Sequence, residues 1–360
     1  MAALQFDSHR WEKVRGDAEL WWAGQLKRPL ILATVEGCPT DTKPPIPQYR
    51  HGLTPYDLSI TPARLVEQMD YNLSRTRWLG DAFPVAWPDF GPGVLAAFIG
   101  GQPRPADGTV WFHAPHPTPI AEMHFRFDCG NPWAQRIAEV YRAGIKRWQG
   151  GVLMAMTDLG GNLDIVSTFR PSEMLPLDLL DSPADVKRLL WQAHDCWWQC
   201  FEHFNSLLQP INPGYSAWTP LYSQTPYYIL QCDFAYMISP DMFQEFVLPE
   251  LEASSRRLGN TFYHLDGVGQ LAHLDSLLKI ESLKGIQWIP GAGKPGPEHW
   301  PEVHRKIRAA GKLSQFFGPP GALDKLVEQL GSAEGIAMCT SVQPTEQDDL
   351  QEWLRRYDAV

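Results

Sequence analysis

The chain has 360 residues, of which 44% are apolar and 20% are charged, enough apolar sequence to bury a large core. Its formal charge is −10, and no cluster of lysine and arginine interrupts the acidic balance. Nucleic acid is therefore excluded as the main partner, because neutralising phosphates needs clustered cations. No apolar stretch approaches the roughly 20 residues that cross a bilayer, so no membrane association is expected.

The cysteines and the start of the chain indicate a cytoplasmic compartment. Six cysteines are scattered along the sequence without a CxxC pair or a dense framework, which is typical of a reduced protein. The first residues are polar and amphipathic and lack the apolar core of a signal peptide. Cys196 and Cys200 stand four positions apart in a predicted helix, where a buried pair of small apolar side chains is expected.

Predicted elements in the first part of the chain are a helix, a strand and a long excursion. Residues 8–26 are predicted as an opening helix within an N-terminal extension at 1–27, and residues 28–37 as a buried first strand. A helix is predicted at 61–80, with Thr61 as its N-cap. The insertion at 37–132 contains a stretch rich in proline and aromatic residues at 101–132. This stretch predicts small strands or a lid over the pocket.

From residue 133 the sequence alternates regularly between short apolar runs and amphipathic segments. Further strands are predicted at 151–157, 216–221, 261–265, 285–289, 312–316 and 335–339. Helices are predicted at 133–148, 183–208, 239–259, 270–279, 298–310, 321–331 and 345–357. About eight strands with intervening helices, without repeats or a linker, predict a single α/β domain over residues 1–360, folded as a (β/α)8 TIM barrel.

Reactive side chains of such a barrel lie at the carboxyl ends of its strands. Alternation along the predicted fifth strand places His264 and Asp266 on one face, toward the barrel mouth, and the last strand turns Cys339 inward. Imidazole nitrogen, carboxylate oxygen and thiolate together suit Zn²⁺ with an open position for a substrate. The alternative is a metal-free His264–Asp266 pair beside an inert buried cysteine.

Other polar and aromatic side chains fall near predicted strand ends. Asp158 lies in a glycine-rich loop, where it either meets a ligand or caps the following turn. Asp233 either orders its loop or acts as an acid–base or ligand-binding carboxylate. Trp87 and Trp111 fall in loops, where they are either structural or line an aromatic cavity. The candidates for orienting or enclosing a substrate are Glu36, Trp87, Asp89, Asn162, Tyr222 and Gln287.

Several segments resemble the uroporphyrinogen decarboxylase-like superfamily. The run SPDMFQEFVLPE at 239–250 is similar to a characteristic stretch of these proteins. The segment TDLGGNLDIVSTFRPSEMLPLDLLDSPADV at 157–186 resembles them in its glycine loop and the following helix start, and so do the strand end YHLDG and HLDSLLKIESLKGIQWIPG at 273–291. The resemblance extends over roughly residues 150–357 and implies a (β/α)8 barrel.

Two chemistries are known in this superfamily. One is cofactor-free decarboxylation of porphyrinogen acetate groups, and the other is methyl transfer between corrinoid proteins and thiols or methylated compounds, with zinc held by an H-x-C strand motif and a later cysteine. This sequence keeps His264 and Cys339 and has Asp266 where the methyltransferases have their first cysteine. The segment at 28–37 lacks the paired arginines of the porphyrinogen decarboxylases.

The favoured hypothesis is a zinc-dependent methyltransferase-like enzyme that acts on a small methylated substrate. Asp158, Asp233, His264 and Asp266 are its predicted catalytic residues, and His264, Asp266 and Cys339 its predicted metal ligands. The resemblance implies a corrinoid protein as partner and a homodimer. One alternative is a metal-free decarboxylase or lyase with His264 and Asp266 as acid–base pair. Another is a non-catalytic small-molecule or carbohydrate binder, which the 15 tryptophans favour.

Overall fold

The computed structural model describes residues 4–46, 54–106, 108–170 and 173–360. The helices are α1 (Ser8–Trp22), α2 (Pro62–Ser74), α3 (Leu95–Phe98), α4 (Pro132–Trp148), α5 (Asn162–Phe169), α6 (Leu175–Asp181), α7 (Pro183–Leu208), α8 (Pro240–Met242), α9 (Leu248–Arg257), α10 (Leu274–Leu278), α11 (Pro301–Ala309), α12 (Pro320–Leu330) and α13 (Gln347–Arg355). The strands are β1 (Leu30–Val35), β2 (Arg77–Gly80), β3 (Val85–Ala86), β4 (Gln102–Ala106), β5 (Thr109–His113), β6 (Leu153–Met154), β7 (Tyr227–Gln231), β8 (Asn260–Asp266), β9 (Gly285–Ile289), β10 (Leu313–Phe317) and β11 (Ile336–Val342).

Seven strands form the central sheet, in the order β2-β1-β11-β10-β9-β8-β7. Six of them are parallel, and β2 runs antiparallel to β1. Each of the strands β8 to β11 pairs with the strand before it in the chain. The helical connection after each strand returns the chain to the end of the sheet at which that strand began, so the next strand runs parallel to it. The carboxyl ends of these strands therefore lie on one side of the sheet, where a site can form.

Two further strands, β3 and β6, pair with each other in parallel beside the central sheet. In the described part of the chain, no ladder of hydrogen bonds joins this pair to β1 or to β7, so the strands do not form a continuous hydrogen-bonded barrel there. The α/β class and the parallel sheet are thus as predicted, whereas the closed (β/α)8 barrel stays a prediction. Just after β6, the backbone nitrogen of Met156 donates to the carbonyl of Ser216, which lies in the segment that precedes β7.

A buried ion pair attaches the opening helix to β1. The Asp81 carboxylate accepts hydrogen bonds from both Arg28 guanidinium nitrogens, at 2.7 and 2.8 Å, and from the Ile31 backbone nitrogen at 2.8 Å. Lys13 of α1 contacts the same carboxylate at 3.2 Å. Although burial alone would raise the pKa of Asp81, these cations lower it. The carboxylate therefore stays charged and connects α1, β1 and the end of β2.

The predicted strand at 216–221 is wrong. Tyr215 forms an isolated antiparallel bridge with Ser223, and the Leu221 nitrogen donates to the Thr219 carbonyl, so the chain turns back on itself. Pro220 also lacks the N–H that a central strand needs. The strand of this part of the sheet is β7, whose five residues are all buried, as expected for a strand covered on both faces.

Other predicted helices also differ from the structure. The helix predicted at 270–279 is α-helical only at Leu274–Leu278, after a 3-10 segment at Val268–His273. The helix predicted at 61–80 ends at Ser74, and residues 77–80 form β2. The helix predicted at 239–259 has a π-helical turn at Phe243–Val247 between α8 and α9. Pro249 in the first turn of α9 has no N–H for the preceding turn, which explains the wider turn.

The predicted insertion at 37–132 holds α2, β2, β3, α3 and a β4–β5 hairpin. The hairpin lies beside α5, where the Ala114 nitrogen donates to the Thr168 carbonyl at 3.3 Å. Trp111 of β5 is 62% exposed on this hairpin. Residues 47–53 and 107 of the insertion lie outside the described residues. The described part agrees with the prediction of small strands at 101–132.

Helix α7 is the longest of the described helices, with 26 residues. Cys196 and Cys200 are both buried on its inner face, as the four-residue spacing predicted. None of the helices in the described ranges is long and apolar enough to span a membrane.

Candidate active site at the carboxyl ends of the strands

A cavity of about 220 Å³ opens at the carboxyl ends of β3, β6, β7 and β8, and we name it the polar cavity. The three carboxylates and the imidazole of this lining come from separate strand ends, which parallel strands bring to one side. Its lining residues are Trp87, Asp89, Gly91, Pro92, Gly108, Thr109, Asp158, Trp218, Gln231, Asp233 and His264.

Three side chains at this mouth form a potential metal site. Asp233, His264 and Asp266 each offer one ligand atom, and these atoms all lie within 4.8 Å of one another. The Nε2 atom of His264 is 3.9 Å from Oδ2 of Asp266, because both residues lie on one face of β8. Asp233 follows β7, the strand that pairs with β8, and this neighbouring strand end completes the group.

A chain of hydrogen bonds fixes the His264 imidazole. Its Nδ1 contacts Oε1 of Gln287, Nε2 of Gln287 donates to Oε1 of Gln315 at 2.8 Å, and Nε2 of Gln315 donates to Sγ of Cys339 at 3.3 Å. Since the Gln287 amide nitrogen donates to Gln315, the amide oxygen faces His264 and accepts a hydrogen bond from the Nδ1–H group. Nε2 of His264 then keeps its lone pair, on the side of the carboxylates.

Cys339 does not belong to this metal group, contrary to the sequence prediction. Strands β9 and β10 separate β11 from β8, and two glutamine side chains fill the space between thiol and imidazole. Burial raises the pKa of the Cys339 thiol to about 12, so the thiol is neutral at physiological pH. Of the predicted ligands, His264 and Asp266 therefore lie together without Cys339, and Asp233 is the third residue of the group.

Asp158 is a buried carboxyl at the inner end of the polar cavity. Burial raises its pKa to about 7, the charge of Asp233 adds to the rise, and a hydrogen bond from the Gly160 backbone nitrogen opposes it. Tyr228 and Gln231 contact the same oxygen at 3.4 Å. Gly160 has a φ of +78°, and a Cβ there would meet Gly93, so only glycine fits this loop. Asp158 can thus hold or release a proton near neutral pH.

Asp164 of α5 orders the loop that carries Asp233, a role that no sequence pattern indicated. Its carboxylate accepts hydrogen bonds from the backbone nitrogens of Asp233 and Phe234, at 3.0 and 2.8 Å. Loss of surrounding water raises the pKa of Asp164 to about 7, and the charge of Asp233 adds to it. The same loss of water raises the pKa of Asp233, while His264 lowers it and Asp266 raises it further.

Two tryptophans enclose the polar cavity. Trp87 was predicted for this role, whereas Trp218 was missed because its segment was assigned to a strand. The Trp218 ring meets the His264 imidazole edge-on, with 4.9 Å between ring centres. The indole nitrogens of Trp87 and Trp218 are buried without a hydrogen-bond partner in the described ranges. The Trp218 ring therefore reduces the access of water to the imidazole.

Two predicted substrate-binding residues lie elsewhere. Tyr222 lies at the amino end of the sheet, where its hydroxyl donates to the Pro213 carbonyl and its own carbonyl accepts from the Trp22 indole of α1. Asn162 is buried beneath the glycine loop and donates to Oε2 of Glu250 at 2.7 Å. Both were assigned from position along the chain, which did not reveal the direction of the side chain.

The remaining predicted residues border different spaces. Asp89 lines the polar cavity, and its Oδ1 accepts a hydrogen bond from the Gly91 nitrogen at 2.9 Å. Gln287 is fully buried and contacts His264. Glu36 is exposed after β1 and, together with Cys339, lines a second cavity. Trp111 lines a third, outer cavity of about 760 Å³ beside the β4–β5 hairpin.

Comparison with known proteins shows the fold. No protein-family model matches the chain, and no curated protein sequence matches it. A solved structure, described as a methyltransferase from Methanosarcina mazei, superposes with a TM-score of 0.61 at 12% identity, covering 96% of this chain and 98% of that one. An enolase protein from the Sargasso Sea environmental genome aligns with a TM-score of only 0.24 at 11% identity, over 58% and 51% of the two chains. The chain therefore has the overall mixed α/β fold of this methyltransferase.

Proposed function

We propose that the chain is a metal-dependent, methyltransferase-like enzyme that binds one divalent cation, zinc, through Asp233, His264 and Asp266. The observation that carries this proposal is the convergence of these three side chains, with ligand atoms within 4.8 Å of one another. The hydrogen bond between Nδ1 of His264 and Gln287 supports the proposal further. This bond keeps the proton on Nδ1 and leaves the unprotonated Nε2 on the side of the carboxylates.

The chemistry of the donors fits zinc with an open coordination position. Imidazole nitrogen and carboxylate oxygens are zinc ligands, and catalytic zinc sites use three protein ligands and leave one position for substrate. When bound, zinc supplies a Lewis acid that lowers the pKa of a coordinated group. Asp266 has 44% of its side chain exposed, so the group opens toward solvent and a substrate can approach.

The other residues of the polar cavity hold protons and exclude water. Asp158, with a pKa of about 7, gives or takes a proton at the inner end of the cavity. Gln231 contacts the Asp158 carboxyl, and Trp218 covers one side of the His264 imidazole. Asp164 holds the Asp233 backbone in place. Each of these contacts positions a group that a substrate would meet.

Methyl transfer is the reaction class we favour. The fold shared with the Methanosarcina mazei methyltransferase supports it, together with the motif resemblance at 157–186 and 239–250. A corrinoid protein is the partner that the resemblance implies, and a small methylated compound the substrate. The homodimer and the cytoplasmic location expected from the sequence stay predictions.

Metal analysis of four variants tests the ligand set. Wild-type protein is expected to retain one zinc per chain, and His264→Ala and Asp233→Asn to lose it. Cys339→Ser is expected to keep zinc, because the thiol lies outside the group. His299→Ala, an exposed histidine near α11, serves as the control and keeps zinc. Loss of zinc in Cys339→Ser with retention in Asp233→Asn would refute this ligand set.

An activity assay tests the reaction class. Methylcobalamin and a thiol are mixed with the zinc-loaded enzyme, and demethylation is followed by the change in cobalamin absorbance. Activity is expected with zinc-loaded wild type and not with His264→Ala. Zinc binding without any demethylation, also when corrinoid proteins are supplied as methyl donors, would reject methyl transfer and leave the metal site standing.

A metal-free decarboxylase or lyase is the second candidate, which the pKa of Asp158 near 7 favours. In that enzyme Asp158 and His264 would protonate a carbanion without a Lewis acid. Turnover of a carboxylic acid substrate that persists in chelated protein and disappears in Asp158→Asn would establish this candidate over the metal enzyme.

A further inference from the structure

The segment that follows β8 packs against the loop that carries Asp233. Asp233 begins a 3-10 turn at Asp233–Met237, which we name the Asp233 turn, and a 3-10 segment at Val268–His273 follows the end of β8. Two side chains of this segment, Gln270 and His273, are buried and contact the chain on either side of Asp233. Neither is among the described residues that line the polar cavity.

Gln270 connects this segment to β8 and to the residue before Asp233. Its Nε2 donates to the backbone carbonyl of Cys232 at 3.1 Å, and its Oε1 accepts from the Tyr263 hydroxyl at 3.0 Å. Since a backbone carbonyl only accepts, the amide nitrogen is the atom that faces Cys232. Tyr263 precedes His264 in β8 and therefore lies on the opposite face of the strand. One face of β8 thus carries the imidazole, and the other is connected through Gln270 to the chain before Asp233.

His273 holds the chain on the other side of Asp233. Its Nε2 lies 2.8 Å from the carbonyl oxygen of Ala235, two residues beyond Asp233. Because a carbonyl oxygen only accepts, Nε2 carries the proton and donates this hydrogen bond. The imidazole stacks on the Phe243 ring, with 4.4 Å between the ring centres and 14° between the planes. This stacking holds the ring in the plane from which Nε2 reaches Ala235.

These hydrogen bonds oppose a repulsion within the metal group. The carboxylates of Asp233 and Asp266 bring like charges within 4.8 Å of one another, and like charges at this distance repel. Asp164 holds the Asp233 turn from α5 through a backbone nitrogen, while Gln270 and His273 hold it through carbonyl groups. Hydrogen bonds from two directions therefore keep the Asp233 turn beside Asp266.

We propose that Gln270 and His273 are positioning residues for the metal group. Their hydrogen bonds to the carbonyls of Cys232 and Ala235 hold the Asp233 carboxylate where it meets the metal. Both act on the backbone, and neither supplies a ligand atom to the group. Ligands that are already held together bind more tightly, because the cost of bringing them together is met during folding. This inference rests on the proposed metal site and deepens it.

His273→Phe tests the positioning role. Phenylalanine keeps a ring that can stack on Phe243 and removes the N–H group that Ala235 accepts. Titration of zinc against a competing chelator is expected to show about tenfold weaker binding, the effect of one lost hydrogen bond. Gln270→Met, which removes the donor to Cys232, is expected to weaken zinc binding by a similar factor. His273→Gln carries an N–H group near the position of Nε2 and is expected to bind zinc within about threefold of wild type.

His304→Phe is the matched control. His304 is as deeply buried as His273, but its Nδ1 contacts the Ser314 hydroxyl at 2.8 Å, and it supplies no contact to the Asp233 turn. Both phenylalanine variants are expected to lose stability in urea unfolding, since each leaves a buried polar group without its partner. Only His273→Phe is expected to lose zinc affinity as well.

A cobalt(II) spectrum separates positioning from a general loss of stability. Co²⁺ is added in place of Zn²⁺, and its visible absorption reports the geometry of the ligands around the ion. His273→Phe is expected to shift the absorption bands relative to wild type. His273→Gln and His304→Phe are expected to leave them in place.

The outcomes distinguish the positioning role from the metal site itself. Zinc affinity equal to that of wild type in both His273→Phe and Gln270→Met would overturn the positioning role and leave the metal site standing. Equal weakening in His304→Phe would also overturn it, because the effect would then follow from stability alone. Wild-type protein that binds no zinc would reject the metal site and this role with it. If His273→Phe does not fold, Gln270→Met provides the same comparison.

Discussion

The Nδ1 atom of His264 lies in hydrogen-bond contact with Oε1 of Gln287, its direct neighbour on the adjacent strand. Gln287 in turn donates to Gln315, which is its partner on β10. This row of side chains across three strands decides which imidazole nitrogen faces Asp233 and Asp266. The metal affinity of the site should therefore depend on buried amides that do not touch the metal.

Gln287→Leu is expected to weaken zinc binding by about 10- to 100-fold, the usual effect of removing a group that orients a metal-bound histidine. The measurement is a zinc titration against a competing chelator. Gln315→Leu, one step further along the row, is the matched control and should change the affinity less. If both variants bind zinc as tightly as wild type, the row does not control the His264 imidazole.

Asp158→Asn is expected to change how stability depends on pH. The pKa of Asp158 in the folded state is about 7, above the ordinary value of 3.8. Its contribution to the free energy of unfolding is therefore fully present below pH 3.8 and is lost as the pH rises through about 7. The loss amounts to on the order of 4 kcal/mol. Urea unfolding at several pH values should show wild type losing stability relative to the variant over this range. Parallel curves for the two proteins would contradict a raised pKa.

Asn162→Ala separates a structural role from a role in substrate binding. Asn162 donates to buried Glu250, and its removal leaves that carboxyl without this partner. The free energy of unfolding should fall by about 1–3 kcal/mol, whereas zinc affinity should stay unchanged. Urea unfolding and zinc titration of the same preparation give both values. An unchanged stability with weaker zinc binding would return Asn162 to the active site.

Asp81→Ala should destabilise the attachment of α1 to β1. The Arg28 side chain would lose its buried partner, which lowers the free energy of unfolding by about 3–5 kcal/mol. The pKa of Asp81 is lowered in the folded state. Its contribution to the free energy of unfolding is therefore present at pH values above the ordinary carboxyl pKa, and it is lost as the pH falls through the folded-state pKa. Asp17→Ala, a less buried partner of Arg28, is the control and should cost less in urea unfolding.

Local sequence features determined most of the helices and strands. The N-cap Thr61 and the helix start at Ser239 are as predicted, and the apolar run at 285–289 is a buried strand with those bounds. Alternation also determined that His264 and Asp266 share one face of β8, since side chains two residues apart point the same way. These features depend on neighbours in the chain, which a sequence contains.

Tertiary structure decided which strand ends meet. Asp233 follows β7, a strand that was not predicted, so its approach to His264 depends on a strand pairing that the local sequence pattern does not reveal. Cys339 faces inward as expected, yet two intervening strands and their glutamines separate it from His264. Contacts between distant segments arise from the packing of the whole sheet, and the pattern within one segment does not encode them.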